Sequence, residues 1–97
     1  MTKKQTTKPN DCGICVYILR CKDGTLYAGW TNDIEKRIKA HNAGTASKYT
    51  RGRTPVELVY SENLPTREQA LSREAQIKKL KKSEKLALIK ASENGRP

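Results

Sequence analysis

The segment from Gly13 to Trp30 constrains the fold of this chain more than any other part. Ile14-Cys15-Val16-Tyr17-Ile18-Leu19 is β-branched, aromatic and apolar, Lys22-Asp23-Gly24 is turn chemistry, and Leu26 to Trp30 reads as a returning strand. A hairpin is expected, and its loop length decides which side chains share a face. A two-residue Asp23-Gly24 loop pairs Arg20 with Tyr27 and sets Tyr17 and Tyr27 on opposite faces. A three-residue Lys22-Asp23-Gly24 loop, with Gly24 left-handed in a bulge, pairs Leu19 with Tyr27 and Tyr17 with Gly29. The second register is the expected one. It puts both tyrosines on one face and leaves space beside Tyr17 at Gly29.

A helix should follow, with Asn32 as its cap and Glu35 completing a box-like pair. Ile34 and Ile38 define its inner stripe, with Arg37 and His41 along the same side, and Asn42-Ala43-Gly44 ends it. Thr45 to Pro55 reads as a basic loop, and Val56 to Tyr60 as a short strand after it. Thr66-Arg67-Glu68-Gln69 is a capping box that predicts a helix to about Lys81, and Ser83 is placed to cap a last short helix through Ile89. The order ββαβαα implies an α+β fold, a small, mostly antiparallel three-stranded sheet packed against helices. Residues 1–11 read as a disordered basic tail, 12–91 as the domain and 92–97 as a frayed C-terminus.

Charge supplies the first functional clue. The 97 residues carry 20 Lys+Arg against 10 Asp+Glu, a formal net charge of +10. The cations fall in blocks (Lys36 to Lys39, Lys48 to Arg53, Lys78 to Lys85) rather than interspersed with acids, the pattern of a polyanion-binding surface. No apolar run approaches the ~20 residues that cross a membrane. Met1-Thr2-Lys3-Lys4-Gln5 leads into no apolar stretch, so a cytoplasmic protein without a membrane partner is expected. Cys12, Cys15 and Cys21 lack a fourth zinc ligand, because the single histidine, His41, lies on the first helix; half-buried strand thiols without metal are the reading.

Tyr17, Tyr27, Arg37, His41 and Glu74 are polar residues where apolar ones were due. Either tyrosine alone could be a core ring, and His41 could simply close its helix. Arg37 could lie over Ile34, or pair with Glu74 as a structural ion pair. Glu74 shares a helical stripe with Ala70, Leu71 and Ile77, and a carboxylate facing the interior needs a partner or a metal.

These residues resemble the motifs of the GIY-YIG nuclease superfamily, in particular its small stand-alone bacterial members. The first motif corresponds to Cys15-Val16-Tyr17 and the second to Tyr27-Ala28-Gly29, with nine residues between the tyrosines. The family arginine falls on Arg37 and the metal-binding glutamate on Glu74, and the resemblance covers about Cys12 to Ile89. Cys15 stands where the family has a glycine and Ala28 where it has an isoleucine. Trp30 stands where some relatives have a lysine, and the asparagine that some members carry after the glutamate helix has no counterpart.

The resemblance implies hydrolysis of DNA phosphodiesters by in-line attack of water with one divalent ion, Mg²⁺ or Mn²⁺, held by Glu74 as its single protein ligand. RNA remains an alternative substrate. Arg37 would stabilise the phosphate, one of Tyr17 and Tyr27 would act on the water, and His41 could relay the proton. Lys48, Tyr49, Arg51 and Arg53 are the expected nucleic-acid contacts, with Tyr49 able to stack on a base. Little sequence specificity is expected from a monomer of this size. A protein partner or an unusual nucleic-acid shape would supply it, as in DNA repair or processing. Two alternatives are a binding module of the same fold without useful catalysis, and a basic domain that binds an acidic protein.

Overall fold

The computed structural model describes residues 13–94. The whole of the expected tail at residues 1–11, Cys12 of the C-x-x-C and residues 95–97 lie outside the described residues. Three strands, β1 (Cys15–Arg20), β2 (Leu26–Thr31) and β3 (Glu57–Asn63), form an antiparallel sheet in the order β2-β1-β3. Four helices accompany it: α1 (Ile34–Asn42), α2 (Lys48–Arg51), α3 (Arg67–Lys78) and α4 (Lys82–Asn94). The expected α+β fold is present.

The hairpin adopts the expected register, with Leu19 opposite Tyr27 and Tyr17 opposite Gly29. Gly24 takes φ +85°, and the turn closes through Gly24 N–H donating to Cys21 O at 2.9 Å and Cys21 N–H donating to Thr25 O at 2.8 Å. Asp23 Oδ1 accepts from the Thr25 amide and hydroxyl. These bonds first, and Arg53 after them, hold its carboxyl below the usual carboxylate range.

The central strand is apolar without alternation because both of its faces are covered. Cys15, Tyr17, Leu19 and Cys21 pack with Ile34 and Val56 on the α1 side; Val16, Ile18 and Ala28 pack with Ala70, Ile77 and Ile89 on the α3–α4 side. Burying one such aliphatic chain contributes roughly 1.5–3 kcal/mol, so two thin layers sandwich one shared strand. Cys15 and Cys21 are free thiols, fully rather than half buried, and burial pushes the Cys15 thiol up.

Several boundaries differ from expectation. Asp33, not Asn32, caps α1, its carboxylate accepting from the Lys36 amide at 3.2 Å. The expected basic loop contains α2, because Ser47 caps a turn there and Thr50 is buried. The third strand runs to Asn63, since β1 carries unpaired edge groups as far as Cys15; a bulge between Ile18 and Leu19 absorbs the extra residue. Thr66 caps α3 as expected, but that helix ends at Lys78. The last helix starts at Lys82 and is 13 residues long, not short. Ser83 lies inside it, and Glu84 reaches back to accept the Lys81 amide at 2.8 Å. Residues 92–94, assigned from sequence to the C-terminal tail, belong to this helix.

Candidate active site

The α1 face of the sheet carries a buried polar chain. Tyr17 Oη lies 2.9 Å from His41 Nε2, and His41 Nδ1 lies 2.8 Å from Thr50 Oγ1. The Thr50 hydroxyl donates onward to Ser47 O at 3.4 Å. A hydroxyl has one proton, so Thr50 accepts from the Nδ1–H of His41, which leaves Nε2 as the acceptor for the Tyr17 proton. Both neutral forms are favoured electrostatically. Burial, then Arg37, pushes His41 below the ordinary imidazole value. Burial chiefly, with Tyr27 and Glu74, pushes the Tyr17 phenol far above its ordinary value, opposed by Arg37. His41 is entirely enclosed, and Tyr17 almost so.

The sensitivity of Tyr17 to Tyr27, Arg37 and Glu74 means that one phenol lies within electrostatic reach of all three, although they come from β2, α1 and α3. Gly29 permits this closeness. A Cβ there would lie 2.7 Å from Tyr17 Oη and 3.3 Å from Tyr27 Cε2, so no larger residue fits between the two rings.

Tyr27 meets the His41 ring edge to face, with centroids 5.1 Å apart. Its other neighbour is Tyr49, stacked at 5.6 Å and 30°. Arg53 covers Tyr49 with its guanidinium carbon 4.2 Å from the ring centre, pairs with Asp23 at 3.0 Å and donates to Tyr49 O. Of the four expected nucleic-acid contacts, Lys48, Tyr49 and Arg51 are exposed, Tyr49 with one ring face against Tyr27, whereas Arg53 is half-buried and paired with Asp23.

Arg37 lines a cleft of about 430 Å³ with Thr31, Asn32, Asp33, Lys36 and Thr45. Among the described residues no carboxylate pairs with it. Glu74 instead pairs with Lys78, its Oε2 3.1 Å from Lys78 Nζ, which settles the choice left open for the carboxylate against Arg37. The described residues contain no cluster of three or more His, Cys, Asp or Glu side chains. A single, mostly buried carboxylate, once released by Lys78, suits an ion that keeps its waters and takes its remaining ligands from phosphate, as Mg²⁺ does. Sequence reading puts Thr50 in a loop suited to phosphate contact and Lys78 in a block of cations, and misses their contacts with His41 and Glu74. The Glu74-to-Lys78 spacing and the Ser47-to-Thr50 turn were visible signals, but Thr50 sat in a segment read as irregular.

No helix among the described residues is long and apolar enough to cross a membrane. The GIY-YIG catalytic domain family matches residues 13–87. A UPF0213 protein of Clostridium perfringens is 62% identical over 74 residues, 76% of this chain and 80% of that one. A UPF0213 protein of Halobacterium salinarum is 48% identical over 76% of this chain and 96% of its own. The solution structure of a UPF0213 protein from Bacillus halodurans is similar with a TM-score of 0.53 and 44% identity, covering 80% of this chain and 83% of that one. A solution structure of an E. faecalis protein gives 0.58 and 36%, covering 86% and 88%. With that family's model spanning residues 13–87 and a 62% identical relative covered over most of its length, the chain belongs to the GIY-YIG domain family, among its UPF0213 members.

Proposed function

We propose that this protein is a metal-dependent endonuclease that hydrolyses phosphodiester bonds in DNA with little sequence specificity of its own, in repair or processing. The observation that carries the reading is the linked arrangement of Tyr17 and Tyr27 about His41, with Glu74 beside Tyr27 through Lys78 and Arg37 on the helix that carries His41. Four groups from four elements serve packing poorly, and they match the needs of phosphoryl transfer: a cation for the phosphate, an acid for a metal, and phenols for the water.

The two phenols take different tasks. Tyr17 keeps its proton, because burial opposes the phenolate and Nε2 of His41 accepts the hydrogen bond. Its single proton is committed to His41, so toward the attacking water Tyr17 can act only as an acceptor through Oη. Tyr27 lies on an edge strand and is only partly buried, so it is the phenol placed to take the proton of the attacking water. His41 touches no solvent and acts as a positioning residue for Tyr17. Arg37 donates to the scissile phosphate and offsets the charge that builds there. A Mg²⁺ or Mn²⁺ ion on Glu74 would supply Lewis acidity toward the phosphate and lower the pKa of bound water.

Supercoiled plasmid incubated with Mg²⁺ or Mn²⁺ should be nicked by the wild type and spared by Glu74→Gln and Tyr27→Phe. Plasmid binding without metal-dependent nicking would instead leave a binding module.

A further inference from the structure

Glu74 and Lys78 stand four residues apart on α3, the order in which a carboxylate meets an ammonium one turn later. The Lys78 ammonium is 3.1 Å from Glu74 Oε2 and 5.9 Å from the centre of the Tyr27 ring. The partners differ in setting: the Glu74 side chain is 19% exposed and the Lys78 side chain 51%. The carboxylate is held by the fold. The lysine is a flexible stem whose head lies between two groups of the candidate site.

We infer that Lys78 is a tethered cation that occupies Glu74 in the free domain and transfers to a substrate phosphate when a divalent ion takes its place. Metal affinity is thereby coupled to nucleic-acid binding. The inference rests on the reading of Glu74 as metal ligand. Without substrate, the ammonium and the divalent ion compete for one carboxylate and repel each other across a few ångströms. With a phosphodiester beside Tyr27, the ammonium gains an anion of its own and its charge no longer opposes the metal. Linkage then requires that the metal strengthen nucleic-acid binding by the same factor. The device would discourage divalent ions from settling on the site until DNA is present.

The test is Mn²⁺ binding, followed by loss of the free-ion electron paramagnetic resonance signal, with and without a cleavage-resistant phosphorothioate duplex. Removing one charge a few ångströms from a divalent ion at ~0.1 M salt should tighten binding to free Lys78→Gln about fivefold. Lys78→Arg, which keeps the charge, should match the wild type. The duplex should tighten Mn²⁺ binding to both proteins through its phosphate oxygens, but to the wild type by a factor about fivefold larger than to Lys78→Gln, after subtraction of the duplex-bound ion seen with Glu74→Gln. Glu74-dependent binding that is equal in wild type and Lys78→Gln would overturn the role of Lys78. Binding that is equal in wild type and Glu74→Gln would remove the metal reading of Glu74 itself, and the two failures are distinct.

Discussion

A single methyl group at position 29 should disable the site without altering any of its polar groups. In Gly29→Ala the new Cβ would lie 2.7 Å from Tyr17 Oη, 2.9 Å from Tyr17 Cζ and 3.3 Å from Tyr27 Cε2. Non-bonded carbons settle at ~3.5–4.0 Å, so a ring must move. Tyr17 has nowhere to go, being buried among Cys15, Leu19, Cys21, Ile34 and Val56 with its hydroxyl held by His41 at 2.9 Å. Overpacking of this kind costs about 1–3 kcal/mol. Leaving the His41 nitrogen without its donor costs about 1–3 kcal/mol more. One displacement causes both losses, so they overlap, and about 3 kcal/mol is the expected total. That is a large share of the ~5–15 kcal/mol that holds a domain of this kind together. At ~4–8 °C per kcal/mol for a chain of this length, Tm should fall by about 12–24 °C. Urea unfolding followed by far-ultraviolet circular dichroism measures the loss. Gly29→Ala combined with Tyr17→Phe identifies its cause, since deleting the hydroxyl removes the closest contact and leaves the one to Cζ. The pair should be coupled by about 1 kcal/mol or more in a double-mutant cycle. A Gly29→Ala protein within about 0.5 kcal/mol of wild type, or strictly additive losses, would refute this packing argument.

Four further outcomes follow. Tyr17→Phe alone should cost about 1–3 kcal/mol, because it strands the Nε2 acceptor of an enclosed histidine, and it should slow plasmid nicking while leaving plasmid binding intact. His41 has a lowered pKa in the fold, so the unfolded chain binds the extra proton first. Its contribution is complete above the unfolded value of ~6.5 and is lost as pH falls below it, so stability should decline from about pH 6.5 toward 4 and His41→Gln should flatten that limb. Tyr17 has the opposite sign: its raised pKa favours the fold below the unfolded value of ~10 and that contribution is lost as pH rises beyond it, a limb that Tyr17→Phe should reduce in chemical-denaturation midpoints. Finally, Lys48→Ala should lower the slope of log K against log salt by about 0.9, whereas Arg53→Ala, whose guanidinium is already paired with Asp23 and Tyr49, should leave the slope unchanged and lower Tm.

The hairpin register was legible because a three-residue loop and a period of two leave one arrangement that faces both tyrosines the same way. The capping box at Thr66 was legible for a similar reason, since the side chain and the amide it serves are three residues apart. What escaped was chemistry fixed by contacts distant in sequence. One miss was local: Asp33 displaced Asn32 as cap because Thr31 Oγ1 accepts the Asp33 amide at 3.0 Å and sets the chain's entry into α1. Thr50 escaped because its buried partner, His41, belongs to another element, and no local periodicity marks a residue that sits inside on account of one hydrogen bond. Arg53 reads from sequence as a free cation, and its engagement depends on Asp23 in a turn thirty residues earlier. Basic composition reports that cations are present, while pairing decides which of them can meet a phosphate.

The strand order explains why two tyrosines on one face of one sheet are not equivalent. In the order β2-β1-β3 the first tyrosine lies on the central strand and the second on an edge. A central position is covered on both faces, so the Tyr17 hydroxyl can be satisfied only from within, and His41 supplies the acceptor. An edge position is open along one side, and α3 passes that side with Glu74 and Lys78, so Tyr27 borders the charged groups and the solvent together. Had β2 taken the centre, Tyr27 would be enclosed as well and neither of these two phenols would border solvent. The hairpin therefore fixes the spacing of the two phenols, and the return of β3 to the far side of β1 leaves one of them facing outward.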